Sequence, residues 1–161
     1  MEMNNEFGKA YIEWCRFRLI KQYWPRVERC ISELAEEDVW WRQHESNNSV
    51  GNLMLHLAGN LRQFILSGVD GMKDTRNKDH EFAERQRIPK EELIGELKQA
   101  LLAADDILSR LDAACLLETT TVQDRERPIF EVIAVVVEHF ALHCGQIIYI
   151  AKLKTGQDLK F

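Results

Sequence analysis

The chain has 161 residues, 45% of them apolar and 29% charged, which is the make-up of one globular domain, 1–161, with its own core. A net charge of −5 and a pI near 5.6 exclude the concentrated basic patch that nucleic-acid binding needs. The uncharged run of the last apolar segment, His139 to Ala151, is too short to span a bilayer, so no membrane segment is expected.

From Glu6 to Ala35 the apolar residues Tyr11, Trp14, Cys15, Ile20, Trp24, Val27, Ile31 and Leu34 recur at helical spacing. Pro25 lies inside this helix and predicts a kink near residues 21–25, because proline removes a backbone donor and clashes with the preceding turn. Trp40 and Trp41 are adjacent, so both cannot face the core of a regular helix; one plugs the end of the bundle and the other is free to line a cleft.

Ser46-Asn47-Asn48-Ser49 supplies short polar side chains for the open amides of a first turn, and a second helix is expected from there to about Ser67. Val50, Leu53, Leu57 and Leu61 form its apolar stripe, with His56 and Asn60 beside it. Gly68 and Gly71 mark its end. Residues 72–88 are charged and aperiodic, a long connection with a short helix at Asp79–Arg85, and long connections in bundles often carry function. Pro89 opens a third helix, with Leu93, Leu97, Leu101, Ala104, Leu108 and Leu111 facing inward. Cys115 to Arg127 contains the β-prone Thr119-Thr120-Thr121-Val122 and reads as an extended loop. Pro128 opens the last helix, which runs to Thr155 and stops at Gly156. The fold class is therefore all-α, an antiparallel four-helix bundle with a long connection between helices two and three.

The last helix carries the chemistry. Val132, Val136, His139, His143, Gln146 and Ile150 share one otherwise apolar stripe, so the two histidines point inward one turn apart, a separation that one metal ion can bridge. With His56 from the second helix they make three imidazoles, the donor set of a divalent site with an open position. Zinc and nickel both suit such ligands. Asn60 and Glu138 are candidates to orient the ligands from behind. The plainer reading is that the histidines form a buried polar cluster satisfied by hydrogen bonds, and a third is that His56 or His143 acts as a general base without metal. Cys15, Cys30, Cys115 and Cys144 contain no CxxC spacing and read as free thiols. Met1 to Glu6 is acidic and polar, unlike a leader, so the cytoplasm is the expected compartment.

The stretch Ser49-Val50-Gly51-Asn52-Leu53-Met54-Leu55-His56-Leu57-Ala58-Gly59-Asn60-Leu61-Arg62-Gln63, together with His139-x-x-x-His143-x-x-Gln146, resembles the DinB-like superfamily, also described as YfiT-like, for which metal-dependent hydrolysis is suggested. Leu34 to Arg42 and Asp79-His80-Glu81-Phe82 extend the resemblance over nearly the whole chain, towards bacterial members without assigned reactions. The resemblance implies a four-helix bundle that often forms a homodimer, and a metal site at His56, His139 and His143. It further implies chemistry on a small-molecule substrate, either hydrolysis or transfer of a low-molecular-weight thiol of the bacillithiol type. Trp40, Trp41, Arg62, Arg76 and Gln146 are the candidates to line the substrate pocket, with the arginines available to an anionic group. A non-catalytic, stress-related binding protein is the alternative.

Overall fold

The computed structural model describes residues 2–85 and 88–161, and two residues of the long connection, 86 and 87, lie outside the described part. The first helical rod is α1 (Glu2–Phe17) followed by a π-helical turn (Arg18–Tyr23) and α2 (Trp24–Glu33). The expected kink is this π turn. It ends at Tyr23, with the Trp24 N–H donating to the Leu19 carbonyl five residues back, so the wider π turn lies directly behind Pro25, which has no N–H to give to it.

A short α3 (Glu36–Val39) leads through an irregular stretch to α4 (Val50–Leu61). Ser49 caps α4: its hydroxyl accepts from the Asn52 amide, and the Asn52 side chain reaches back to Ser49. Replacing Ser49 by Ala is expected to cost about 1 kcal/mol, measurable by urea denaturation. The rod continues through a second π turn (Arg62–Ser67), then turns away at Gly71, whose φ of 74° suits glycine. The connection holds α5 (Lys78–Ala83), close to the expected Asp79–Arg85 and capped by Asn77.

α6 (Lys90–Arg110) follows, then a 3₁₀ turn (Ala113–Leu117) and two strands, β1 (Thr119–Val122) and β2 (Arg125–Pro128). The stretch expected as an extended loop is thus an antiparallel hairpin, with Val122 opposite Arg125. Its two-residue turn, Gln123-Asp124, has φ of 53° and 59°, the mirror-image geometry that matches strand twist. Thr120 donates to the Gly68 carbonyl at 2.6 Å and seats the hairpin on the end of the second rod.

The last helix, α7 (Ile129–Thr155), stops at left-handed Gly156 (φ 67°), as expected. By length and composition it is apolar enough to cross a bilayer, with a mean hydropathy of 1.6, a criterion that the core helix of a folded domain also meets. In this chain α2, α4 and both π turns pack on it, and α4 packs in turn on α6. Four long helical segments therefore share one core, in which Val27, Leu53, Leu57, Leu97, Val136 and Phe140 are almost fully buried. The fold is all-α with one small hairpin, and the meeting of α4, α5 and α7 positions the polar cluster described next.

Candidate metal centre

His56 on α4 and His139 and His143 on α7 meet in the interior, their ring centroids 4.4–5.0 Å apart. The stripe logic therefore holds: the i,i+4 pair faces α4, and His56 faces the pair. The Nε2 of His139 lies 2.9 Å from that of His56 and 3.0 Å from that of His143.

The opposite ring nitrogens fix what those Nε2 atoms are. His56 Nδ1 lies 2.8 Å from Glu81 Oε2. An ionised carboxylate only accepts, so Nδ1 carries the proton and Nε2 holds a lone pair. Arg76 Nη2 is also 3.1 Å from this Nδ1, but it has Glu81 Oε2 at 2.9 Å to donate to. His143 Nδ1 lies 2.7 Å from Gln146 Oε1, which gives it the same tautomer. Two lone pairs thus converge on His139 Nε2. His139 can donate one proton to one of them, while its buried Nδ1 has no partner among the described residues.

This arrangement fits the ligand shell of a metal ion. Three imidazole nitrogens at ~2.0–2.1 Å from a tetrahedral cation stand about 3.3 Å apart, so the two separations from His139 Nε2 need to open by only a few tenths of an ångström. The three ligand atoms all lie within 4.8 Å of one another, and the group can hold a metal ion.

The charge around the cluster is organised by Glu81. Its carboxylate accepts from Arg76 Nε at 2.8 Å and from Nη2 at 2.9 Å, a bidentate pair whose arginine side chain is only 3% exposed. Burial opposes ionisation of Glu81, but the hydrogen bonds from His56 and Arg76 outweigh it and hold the carboxyl below its ordinary range. Arg76 and Glu81 together are neutral, so the arginine does not repel a cation as a lone charge would.

α4 makes room for this group. A Cβ on Gly59 would lie 1.9 Å from Glu81 Oε1, so only glycine admits the carboxylate. The Asn52 amide donates to the carbonyls of Glu81 at 2.9 Å and Glu84 at 3.2 Å and ties α5 to α4. Phe82 packs its ring 4.4 Å from His56. Gly59→Ala is expected to push Glu81 off His56 and weaken metal binding by about tenfold or more with helicity retained, which a competitive zinc titration with circular dichroism would read.

Desolvation, with repulsion from His143, His56 and Arg76, pushes His139 down to about 3, and burial likewise lowers His143. Both are therefore neutral and ready to ligate at pH 7. The unfolded chain takes up a proton at His139 below about pH 6.5 while the folded chain does not, so stability falls as pH drops from there towards 3, and the lowered His143 acts in the same direction. Glu81 acts in the same direction, since its lowered folded value means stability lost at acid pH. For metal-free protein the His139 share is up to about 1.4 kcal/mol per pH unit, and urea midpoints at pH 7, 6 and 5 would measure it.

A family model described as "Protein of unknown function (DUF1572)" matches residues 6–161. The chain belongs to this family. The crystal structure of a DinB-like protein from Bacillus cereus is similar to it, with a TM-score of 0.67 at 15% identity over 86% of this chain and 89% of that one. The DUF1572 chain thus shares the fold of that DinB-like protein, the fold that the motif resemblance implied. No match is found among curated proteins.

The other residues singled out in this DUF1572 chain separate. Trp40 is core: it is 7% exposed, donates to the Ile88 carbonyl at 3.0 Å and lies against Gly51, where a Cβ would come within 2.8 Å of its ring. Trp41 and Gln146 line a cavity of about 420 Å³. Arg62 lies 3.8 Å from Glu96 and, with Arg76, lines a second cavity of about 400 Å³. Arg76 is committed to Glu81, to Gln63 at 3.0 Å and to His56, which takes it away from the anion-holding role expected of it. Asn60 is buried beside His56, and Glu138 is exposed. The outer partners of the histidines are Glu81 and Gln146, and Glu81 was missed although it sits in the Asp79-His80-Glu81-Phe82 motif.

Proposed function

We propose that this protein holds a divalent transition metal, zinc or nickel, on His56, His139 and His143, and uses the open position for chemistry on a small molecule. The observation that carries this reading is the convergence of three Nε2 atoms whose outer nitrogens on His56 and His143 are held by Glu81 and Gln146. A purely hydrogen-bonded cluster accounts less well for the convergence, because a neutral His139 has one Nε2 proton for two facing lone pairs and the second short contact has no proton in it.

When bound, such a cation supplies Lewis acidity and lowers the pKa of a coordinated thiol or water, giving a nucleophile at neutral pH. The residues of the chain orient and tune the ligands. Glu81 fixes the tautomer and ring orientation of His56, Gln146 does the same for His143, and Arg76 holds Glu81 in place. Burial keeps His139 and His143 neutral above their lowered pKa values. Transfer of a low-molecular-weight thiol is the reading the superfamily resemblance favours, with hydrolysis beside it, in a cytoplasmic homodimer.

The pairing is supported by Phe7, Trp14 and Phe17, which line up on α1 at 76%, 52% and 56% exposure. Trp14→Glu is expected to shift the sedimenting species from dimer to monomer, and an unchanged dimer would move the interface elsewhere. The activity is tested by assaying the zinc- and nickel-loaded protein with a thiol and an electrophile, before and after chelation. Turnover that needs both thiol and metal supports transfer; turnover with water alone supports hydrolysis; activity that survives chelation contradicts the metal reading.

A further inference from the structure

Arg42 lines the cavity of about 420 Å³ that lies beside the histidines. Arg42 Nη1 is buried and has no hydrogen-bond partner among the described residues. Its Nη2 donates to Asn52 Oδ1 at a long 3.3 Å, and that neutral oxygen already accepts from the Ser49 amide and hydroxyl. Arg85 lies close enough to add positive charge, which Glu45 offsets in part. Arg42 as a whole is partly exposed, but a guanidinium nitrogen buried without an acceptor is costly, and the planar fork suits a carboxylate or a similar oxyanion.

The rest of the cavity wall has a different character. Trp41, Leu142, Tyr149 and Leu153 offer aromatic and aliphatic surface, and Leu142, Tyr149 and Leu153 are 60%, 69% and 54% exposed. Gln146 lines the same cavity and bonds His143 Nδ1, so the cavity abuts the histidine cluster. Gln43, Asn47 and Asn48 complete a mixed wall, and polar groups set beside an aromatic and aliphatic surface are the pattern of a small-molecule site.

We propose that this cavity is a binding site for a small organic anion, its carboxylate held by Arg42 and its apolar body lying along Trp41, Leu142 and Tyr149. The site deepens the proposed function by naming the substrate class, yet it rests on the cavity and on Arg42, and it stands or falls without the metal.

The test is calorimetric titration of the full chain with 4-phenylbutyrate and with its neutral amide, both after chelator dialysis and with one equivalent of zinc. In both forms the acid is expected to bind about tenfold more tightly than the amide, the worth of one partly buried charge pair. Arg42→Gln removes that preference, Arg42→Lys keeps part of it, and Tyr149→Ala, at an exposed position, weakens acid and amide alike. Equal binding of acid and amide to the unaltered chain, or binding of neither, overturns the proposal. So does a preference that survives Arg42→Gln, or one seen only with zinc, which would place the anion on the metal. If Arg42→Gln does not fold, the acid-to-amide ratio of the unaltered chain and of Arg42→Lys decides.

Discussion

Glu81→Ala is expected to lower stability by about 3–5 kcal/mol and zinc affinity by about 10–100-fold in the same protein. The first effect follows from Arg76. Its side chain is 3% exposed and donates twice to Glu81, so removing the carboxylate leaves a buried cation without its counter-charge. The second follows from His56, whose Nδ1 loses the acceptor that fixes its tautomer. Glu81→Gln separates the two. An amide oxygen still accepts from His56 or from Arg76, though not from both as a charge, so an intermediate loss is expected in each readout. The double variant Glu81→Ala with Arg76→Met is expected to recover much of the stability and little of the affinity. Urea unfolding and zinc competition on the four proteins measure both. An affinity unchanged in Glu81→Ala would remove Glu81 from the metal argument and leave it a structural ion pair.

The second large effect is at Phe140, which is 1% exposed and stacks on Tyr23 with ring centroids 6.1 Å apart. Phe140→Ala is expected to cost about 3–5 kcal/mol through lost burial and the cavity left behind. Phe140 follows His139 on α7, and its packing against the first rod sets the rotation of α7 that aims the histidines at α4. Phe140→Leu is therefore expected to recover about half of the stability and most of the metal affinity. Denaturation midpoints together with metal content would show whether the two properties move together.

The histidine triad was legible because helical periodicity places side chains on faces. His139 and His143 fall on an apolar stripe, and His56 lies beside another, so their inward aim follows from spacing alone. The four long helices were legible for the same reason, and Ser49, Pro89, Pro128 and Gly156 marked their ends. Glu81 was not legible by that route. It comes from an aperiodic segment, and its burial depends on the missing Cβ of Gly59, a contact between residues far apart in sequence. Arg76 was singled out for its charge, and only the packing shows that the charge is spent on Glu81. The π turns at Arg18–Tyr23 and Arg62–Ser67 insert single residues that a period of 3.6 averages away. The hairpin turn Gln123-Asp124 lacks the glycine that usually announces its geometry, although the threonines before it carried the strand preference.

The central claim is that His56, His139 and His143 hold one metal ion. The measurement that tests it most directly is the transition-metal content of protein purified without an affinity tag and reconstituted with zinc or nickel, beside the triple variant His56→Ala, His139→Ala, His143→Ala. Close to one equivalent in the native chain and none in a folded triple variant is the predicted result. Equal metal in the two proteins, or none in the native chain after reconstitution, would contradict the account and make the cluster a buried hydrogen-bond network.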